Sequence, residues 1–370
     1  MSERPRSGEV AVLGAGVVGC LVARALARRK LAPMVLQAEG PRSGLAEVPT
    51  AVVWDHTEPM EFARPGLESA ERFHQLEEQI GSFGYLVTGG LIPAWTDDEA
   101  EAGEAFARAR ADAGMPVRWL PRDEVLQREP ALDPKVRGAT YSPREGVLNA
   151  NLLADRLTAA AVALGATFMF HAGYVAVEAG RGGFSLSTAG GRVEARKLVL
   201  TSGRWMAEIG AQLGLTVAMR TVRRRAAVTE KLPPLLRHRV STARQQADGT
   251  LVIERVADDR SQAGCVVGDL REIAAAARIA PALGGARVAR AWSWRGMVSA
   301  DGRPLVGEFE DGIYVAVPHA PGVSLAPALA HAVSAAVAEG RVPEAASAWA
   351  AARVHPALNQ SARKDSPTDP

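Results

Sequence analysis

Cysteine is nearly absent. Cys20 and Cys265 are the only two in 370 residues, too few for a disulfide framework or a four-cysteine zinc site. Neither sign of charge dominates, with 43 Lys and Arg against 41 Asp and Glu and a formal net charge of +2. A nucleic-acid binder needs a basic surplus or stripe to neutralise phosphates, so that class is set aside. No apolar run reaches the roughly 18 residues of a membrane-spanning helix. The opening MSERPRSGEVAVLGAG passes straight into a strand-like run, without the basic-then-apolar pattern of a signal peptide. The expectation is a soluble, cytoplasmic protein of a reducing compartment. Lysine is confined to five positions, a compositional trait that assigns no function. Internal repeats and Gly/Ser linkers are also missing. What is present is an ordinary globular composition, 47% hydrophobic, and length enough for two domains or one elaborate one.

The informative text starts at residue 9. EVAVL is a short apolar run bounded by Gly14, the pattern of a buried strand. GAGVVG follows, then a segment with Val18, Val22, Ala25 and Leu26 at helical spacing, then a second short strand over 33–37. Strand, glycine turn, helix and strand within about thirty residues make a βαβ unit. In Gly14-Ala15-Gly16-Val17-Val18-Gly19 the first glycine permits the tight turn. Gly16 lets backbone approach a diphosphate, and Gly19 lets helix and sheet pack closely. The N–H groups at the helix start, Val17 and Val18 among them, then face the anion. The second strand ends Leu36-Gln37-Ala38-Glu39, where an acid ordinarily accepts from ribose hydroxyls. Glu39 serves two residues late, or Gln37 serves as a neutral group, or Glu39 is a solvated turn acid. The loop alone does not choose between a nicotinamide and a flavin dinucleotide.

Farther on, the spacing predicts helices over 65–81, 97–114, 151–164 (capped by Asn149 or Asn151), 206–214, 270–284 and 322–339. Strands are expected over 88–95, within 168–200 and 217–268, over 291–307 and over 312–317. The polar, proline-ending tail after residue 355 reads as disordered.

Five segments together resemble the D-amino acid oxidase-like family of flavoproteins, which includes glycine oxidase, sarcosine oxidase and D-amino acid dehydrogenases. They are the glycine loop, TGGLIPAWTDDEAE, REGVLNANLLADRLTAAAVALGA, LVLTSGRWMAEI and the long closing segment from WSWRGMVSADGRPLVG to PHAPGVSLAPALAHAV. RTVRRRAAVTEKLPPLL is similar to the flavin subunits of heteromeric dehydrogenases, namely hydrogen cyanide synthase, opine oxidase and proline or hydroxyproline dehydrogenase.

The resemblance implies an α/β (α+β) fold. A Rossmann-like FAD-binding domain of glutathione-reductase type over 1–80, 146–215 and 296–355 interleaves with a β-sheet substrate domain over 81–145 and 216–295. It implies noncovalent FAD and a flavin that takes a hydride onto N5 from the carbon bearing nitrogen of an amino acid, imino acid or secondary amine. The alternative is an auxiliary, non-catalytic flavoprotein subunit within a hetero-oligomer. By the same resemblance Val175, Gly203 and Trp205 lie beside FAD, Gly302 lies in a turn near the flavin, and Gly322, Val323 and Ser324 open the last helix toward it. His319 is expected near the ring system, or else as a packing histidine.

For substrate, the expected groups are Arg295 and Arg223, with Trp292, Trp54 and His56 as further candidates. The family's carboxylate-binding arginine aligns with Gly296, which leaves Arg295 displaced by one residue and on the other strand face, or simply on the surface. Arg223-Arg224-Arg225 also reads as a solvated or subunit-facing basic run. The segment EVPTAVVWDHTEP is bulkier than the small Ser and Gly residues that the family places against the flavin.

Overall fold

The computed structural model describes residues 6–41, 43, 51–256, 279–319 and 323–351. Two eight-stranded sheets dominate it, with a three-stranded sheet beside them. In the first, five strands run parallel: Ile313–Val317, Gly191–Leu200, Arg6–Leu13, Met34–Leu36 and Thr167–Met169. Val12 sits in register with both Val35 and Val199. These strands are apolar without alternation because both faces are covered; Val10 to Leu13, Met34 to Leu36 and Ile313 to Val317 are all buried. Helices Val17–Arg28, Ala150–Ala163 and Ala326–Glu339 share one apolar core against one face. The opposite face packs Phe184, Leu186, Met206 and Ile209 into a second core.

The second sheet runs, in spatial order, Val288–Ser299, Met219–Lys231, Thr250–Val256, Ala243–Gln245, Arg239–Val240, Gly90–Ala94, Gly138–Ser142, Arg118–Pro121. Every pairing is antiparallel except that of Arg239–Val240 with Gly90–Ala94. One face carries a third core of Leu91, Val240, Ala243, Ile253 and Leu283. The chain passes from the first sheet to the second and back twice, so neither is built from one continuous stretch. The small sheet joins Ala51–Val53, Gly146–Leu148 and Leu86–Val87.

The local signals explain most element ends. Asn149 caps Ala150–Ala163 by accepting from Leu152 N at 3.0 Å. Thr96 and Glu99 form a reciprocal capping box on Asp97–Asp112, which satisfies two otherwise orphaned backbone donors. Three expectations shift. The helix expected from 65 spans Met60–Ile80, with Pro65 inside it; the burial of Phe62, Ala63 and Phe73 outweighs the single backbone bond lost at the proline. The last helix begins at Ala326, not at 322, and Gly322 itself lies outside the described residues. So do 257–278, which hold most of the helix expected over 270–284, and the tail after 351; Pro281–Gly285 is a short 3-10 turn. Strand Val288–Ser299 runs across the expected boundary between 295 and 296, because it pairs along its whole length with Met219–Lys231. Among the described residues no helix is long and apolar enough to cross a membrane.

Candidate active site between the glycine loop and the second sheet

A cleft of about 530 Å³ opens along the glycine loop. Its floor is pinned from both sides. Gly14 N donates to Leu36 O at 2.9 Å, and Thr201 Oγ1 donates to the carbonyls of Leu13 and Gly14, each at 2.9 Å. Gly14 has φ +107°, a conformation that favours glycine. A Cβ on Gly19 would lie 1.9 Å from Gly14 O, whereas one on Gly16 would meet nothing within 4 Å among the described residues. Gly19 is thus required by packing, and Gly16 leaves space on the ligand side. The first helical bond of Val17–Arg28 is Cys20 N to Gly16 O at 2.9 Å, so the N–H groups of Val17, Val18 and Gly19 have no acceptor within the helix. The Ser202 hydroxyl lines the cleft, is buried and has no hydrogen-bond partner among the described residues. An orphaned donor, free helix-start amides and a vacant Cβ position suit a dinucleotide diphosphate.

Gln37, Glu39, Val175, Gly203 and Trp205 line the same cleft. Gln37 Oε1 accepts from Ala15 N at 2.7 Å and its Nε2 donates to Ser43 Oγ at 2.6 Å, so the side chain closes the loop onto the strand end. Glu39 is exposed. Gly203 has φ +54° and opens the turn that presents Trp205, 41% exposed, a poor candidate for a simple core aromatic. Gly302, at φ +77°, lies in the turn returning the chain from the second sheet to the first and does not line the cleft.

A second group of residues meets at the start of the last helix. His319 is buried, lies tilted against Phe62 at 46° with 4.8 Å between ring centroids, and has no hydrogen bond on either ring nitrogen among the described residues. Its Nε2 lies 3.5 Å from Glu58 Oε1. Ser324 donates to that same oxygen at 2.9 Å, and Arg110 donates to the Glu58 carbonyl. Val323 is half-buried against the first core, its carbonyl accepting from Ala326 N. The structure therefore joins His319 and Ser324 through Glu58, a residue that sequence reasoning did not single out.

The face of the second sheet opposite its apolar core is charged. Strand alternation places Arg224, Glu254, Arg244 and Arg239 on it. Glu254 Oε1 accepts from Arg224 Nε and Nη2 at 2.9 and 2.5 Å, and Glu254 Oε2 lies 3.7 Å from Arg244 Nη2. Burial lowers the Arg244 guanidinium to about 10, with Glu254 acting in the opposite sense. Arg239 contacts Glu145 Oε2 at 2.7 Å and Asp55 Oδ2 at 2.9 Å. Glu145 also receives His56 N at 2.8 Å and His56 Nδ1, while His56 Nε2 is 2.8 Å from Thr140 Oγ1. Burial alone would raise the Glu145 carboxyl; Arg239 and His56 bring it down to about 2. Gly90 makes this approach possible, since a Cβ there would lie 1.8 Å from Glu145 Oε2.

These contacts correct parts of the sequence reading. Arg224 is not a solvated member of a basic run but a partly buried ion-pair residue; its neighbours two along, Val222 and Ala226, are buried, and that period-2 pattern was the available signal. Arg223 pairs in register with Arg295, on the face away from Arg224 and Trp294, so neither arginine belongs to the buried stripe. Gly296 shares the Trp294 face, and among the described residues a Cβ there would meet only Val222 O, at 3.8 Å. His56 and Trp54 are fully buried, both nitrogens of His56 being engaged and Trp54 Nε1 donating to Ala63 O at 2.9 Å. Trp292 stacks with Trp294 and carries Arg290 over its ring.

Known proteins are similar to this chain in sequence and in overall fold. The chain is 28% identical over 333 residues to the glycine oxidase of Geobacillus kaustophilus (strain HTA426), covering 84% of this chain and 87% of that one. It is 26% identical to one of the subunits of the opine oxidase of Agrobacterium tumefaciens (strain Ach5), over 94% of this chain and 98% of the relative. The crystal structure of glycine oxidase from Geobacillus kaustophilus superposes with a TM-score of 0.80 at 25% identity, covering 92% and 96% of the two chains. The family described as "DAO: FAD dependent oxidoreductase" matches residues 9–336. The cleft, the alternation of the chain between two sheets and this match agree: the chain belongs to the DAO family of FAD-dependent oxidoreductases.

Proposed function

We propose that this protein oxidises the carbon bearing nitrogen of a small amino acid, imino acid or secondary amine. The observation that carries this reading is the buried charged stripe on the second sheet. A fold rarely buries arginines and carboxylates on a sheet face without use, because desolvation offsets most of what their pairing contributes. A polar, zwitterionic substrate is what such a surface recognises. FAD, which the glycine loop would hold noncovalently, would supply the electron sink for the hydride.

The chain's own residues bind and orient. Arg224 and Arg244, which share Glu254, supply positive charge for a substrate carboxylate, and Gly296, opposite Val222 on the same face, adds no side chain there. His319, next to Glu58, is the titratable group we assign to the flavin end of the site, with Val323 and Ser324 beside it. Fixing the reacting C–H over the acceptor is the main task of the protein in such chemistry. The 98% coverage of an opine oxidase subunit favours a second reading, a flavin subunit that needs a partner chain.

The test is anaerobic titration of the yellow, purified protein with amino acids, imino acids and secondary amines. Bleaching of the flavin bands by one of them is the expected result, with Arg224→Met raising KM about tenfold or more at unchanged FAD content. Bleaching that requires a co-expressed partner supports the second reading. A colourless preparation that binds nicotinamide nucleotide instead rules out both.

A further inference from the structure

We propose that Arg295 is a cofactor residue rather than a substrate residue, reaching from the second sheet onto the diphosphate of the FAD held at the glycine loop. This rests on FAD lying in the cleft described above. Three observations carry it. First, Arg295 lines the same cleft as Gly14, Gly16 and Ser202, although it belongs to the edge strand of the other sheet. It faces away from the buried stripe of Arg224 and Glu254, where a carboxylate of the substrate would be held.

Second, Arg295 sits directly opposite Arg223. Like charges at opposed positions of an antiparallel pair destabilise the sheet. Neither arginine has a salt bridge among the described residues. A bound dianion removes that repulsion, and guanidinium is suited to diphosphate oxygens. Third, the cleft exposes two large aromatics, Tyr174 at 63% and Trp205 at 41%. An adenine ring is the part of the ligand that such faces stack against. Aromatic surface for the base, amides and an arginine for the phosphates then describe the adenosine diphosphate half of the cofactor. Bound in this way, FAD ties the two sheets together through its own phosphates.

The experiment measures binding, not turnover. The full chain, stripped of flavin, is titrated with FAD and separately with ADP, following tryptophan fluorescence at low and moderate salt. Arg295→Gln weakens both ligands by about tenfold to a hundredfold, most strongly at low salt, and Arg295→Lys recovers part of the loss. Arg290→Gln, which removes a charge from the same strand outside the cleft, leaves both affinities unchanged. At saturating FAD the KM for the amine is unchanged in Arg295→Gln. Unaltered FAD and ADP affinities in Arg295→Gln overturn the proposal, as does a raised KM with normal FAD binding, which assigns Arg295 to the substrate. Wild-type protein that binds neither FAD nor ADP overturns the FAD reading, and the proposal with it.

Discussion

The wall of the cleft at the glycine loop and the charged stripe on the second sheet are made by different means. The glycine-loop wall is built from backbone: free amides, a vacant Cβ position at Gly16 and carbonyls pinned by Thr201. The charged stripe on the second sheet, which is not part of the lining of that cleft, is built from side-chain charge drawn from several strands and from the segments that follow them, Asp55 to Glu254 in the chain. A backbone site needs only a short contiguous run with the right omissions. A charged face needs a register, since each ion pair exists only if strands far apart in sequence are laid side by side. The loop wall is therefore robust to what surrounds it, and the stripe depends on the whole sheet.

The largest effect that would test this contrast is at Glu145. Glu145→Ala leaves Arg239 and His56 buried without their shared carboxylate, and a loss of about 3–5 kcal/mol is expected in urea unfolding. The same residue sets an acid limit. Its carboxyl is held at about 2 in the fold against an ordinary 4.5, so its contribution is complete above pH 4.5 and drains away as the pH falls toward 2. Wild-type stability should decline across that window by a linkage of the order of 3 kcal/mol, and Glu145→Gln should flatten the decline. An unchanged acid profile in the variant would show that this stripe does not rest on Glu145.

A smaller and opposite signature is expected at the loop wall. Gly16→Ala adds a methyl group into open space, so unfolding should be nearly unchanged while FAD affinity falls by about tenfold, read by flavin release on dilution. Equal loss of stability and affinity would mean that the loop is held by packing at Gly16 as well as at Gly19. Smallest is Thr96→Ala, which belongs to neither region: removing the capping box should cost about 1 kcal/mol and leave FAD content untouched.

The glycine loop, the first strand and helix and the Asn149 cap were all readable from neighbouring residues, because each is a local device spanning a short run of positions. Glu58 was not readable: its partners His319 and Ser324 lie more than 250 residues away. Arg239 and Arg244 gave no more signal than any other arginine in an arginine-rich chain. Arg224 was obscured by the charges on either side, and only alternation against Val222 and Ala226 separates it from them. Arg295 was read as a substrate candidate or a surface residue from its place in a motif; its position on the edge strand puts it in the lining of the cleft.

Local spacing and the order of short motifs determined that this chain is an α/β protein with a dinucleotide loop at its start. Turns, caps and helix periodicity depend on residues close together in the chain, and those interactions are present whatever the rest does. Which charged groups are buried, which arginine meets which carboxylate, and which strand walls the cleft were decided only when the second sheet assembled. Burial and ion pairing are properties of a neighbourhood, and here that neighbourhood is supplied by strands that the chain visits on separate passes.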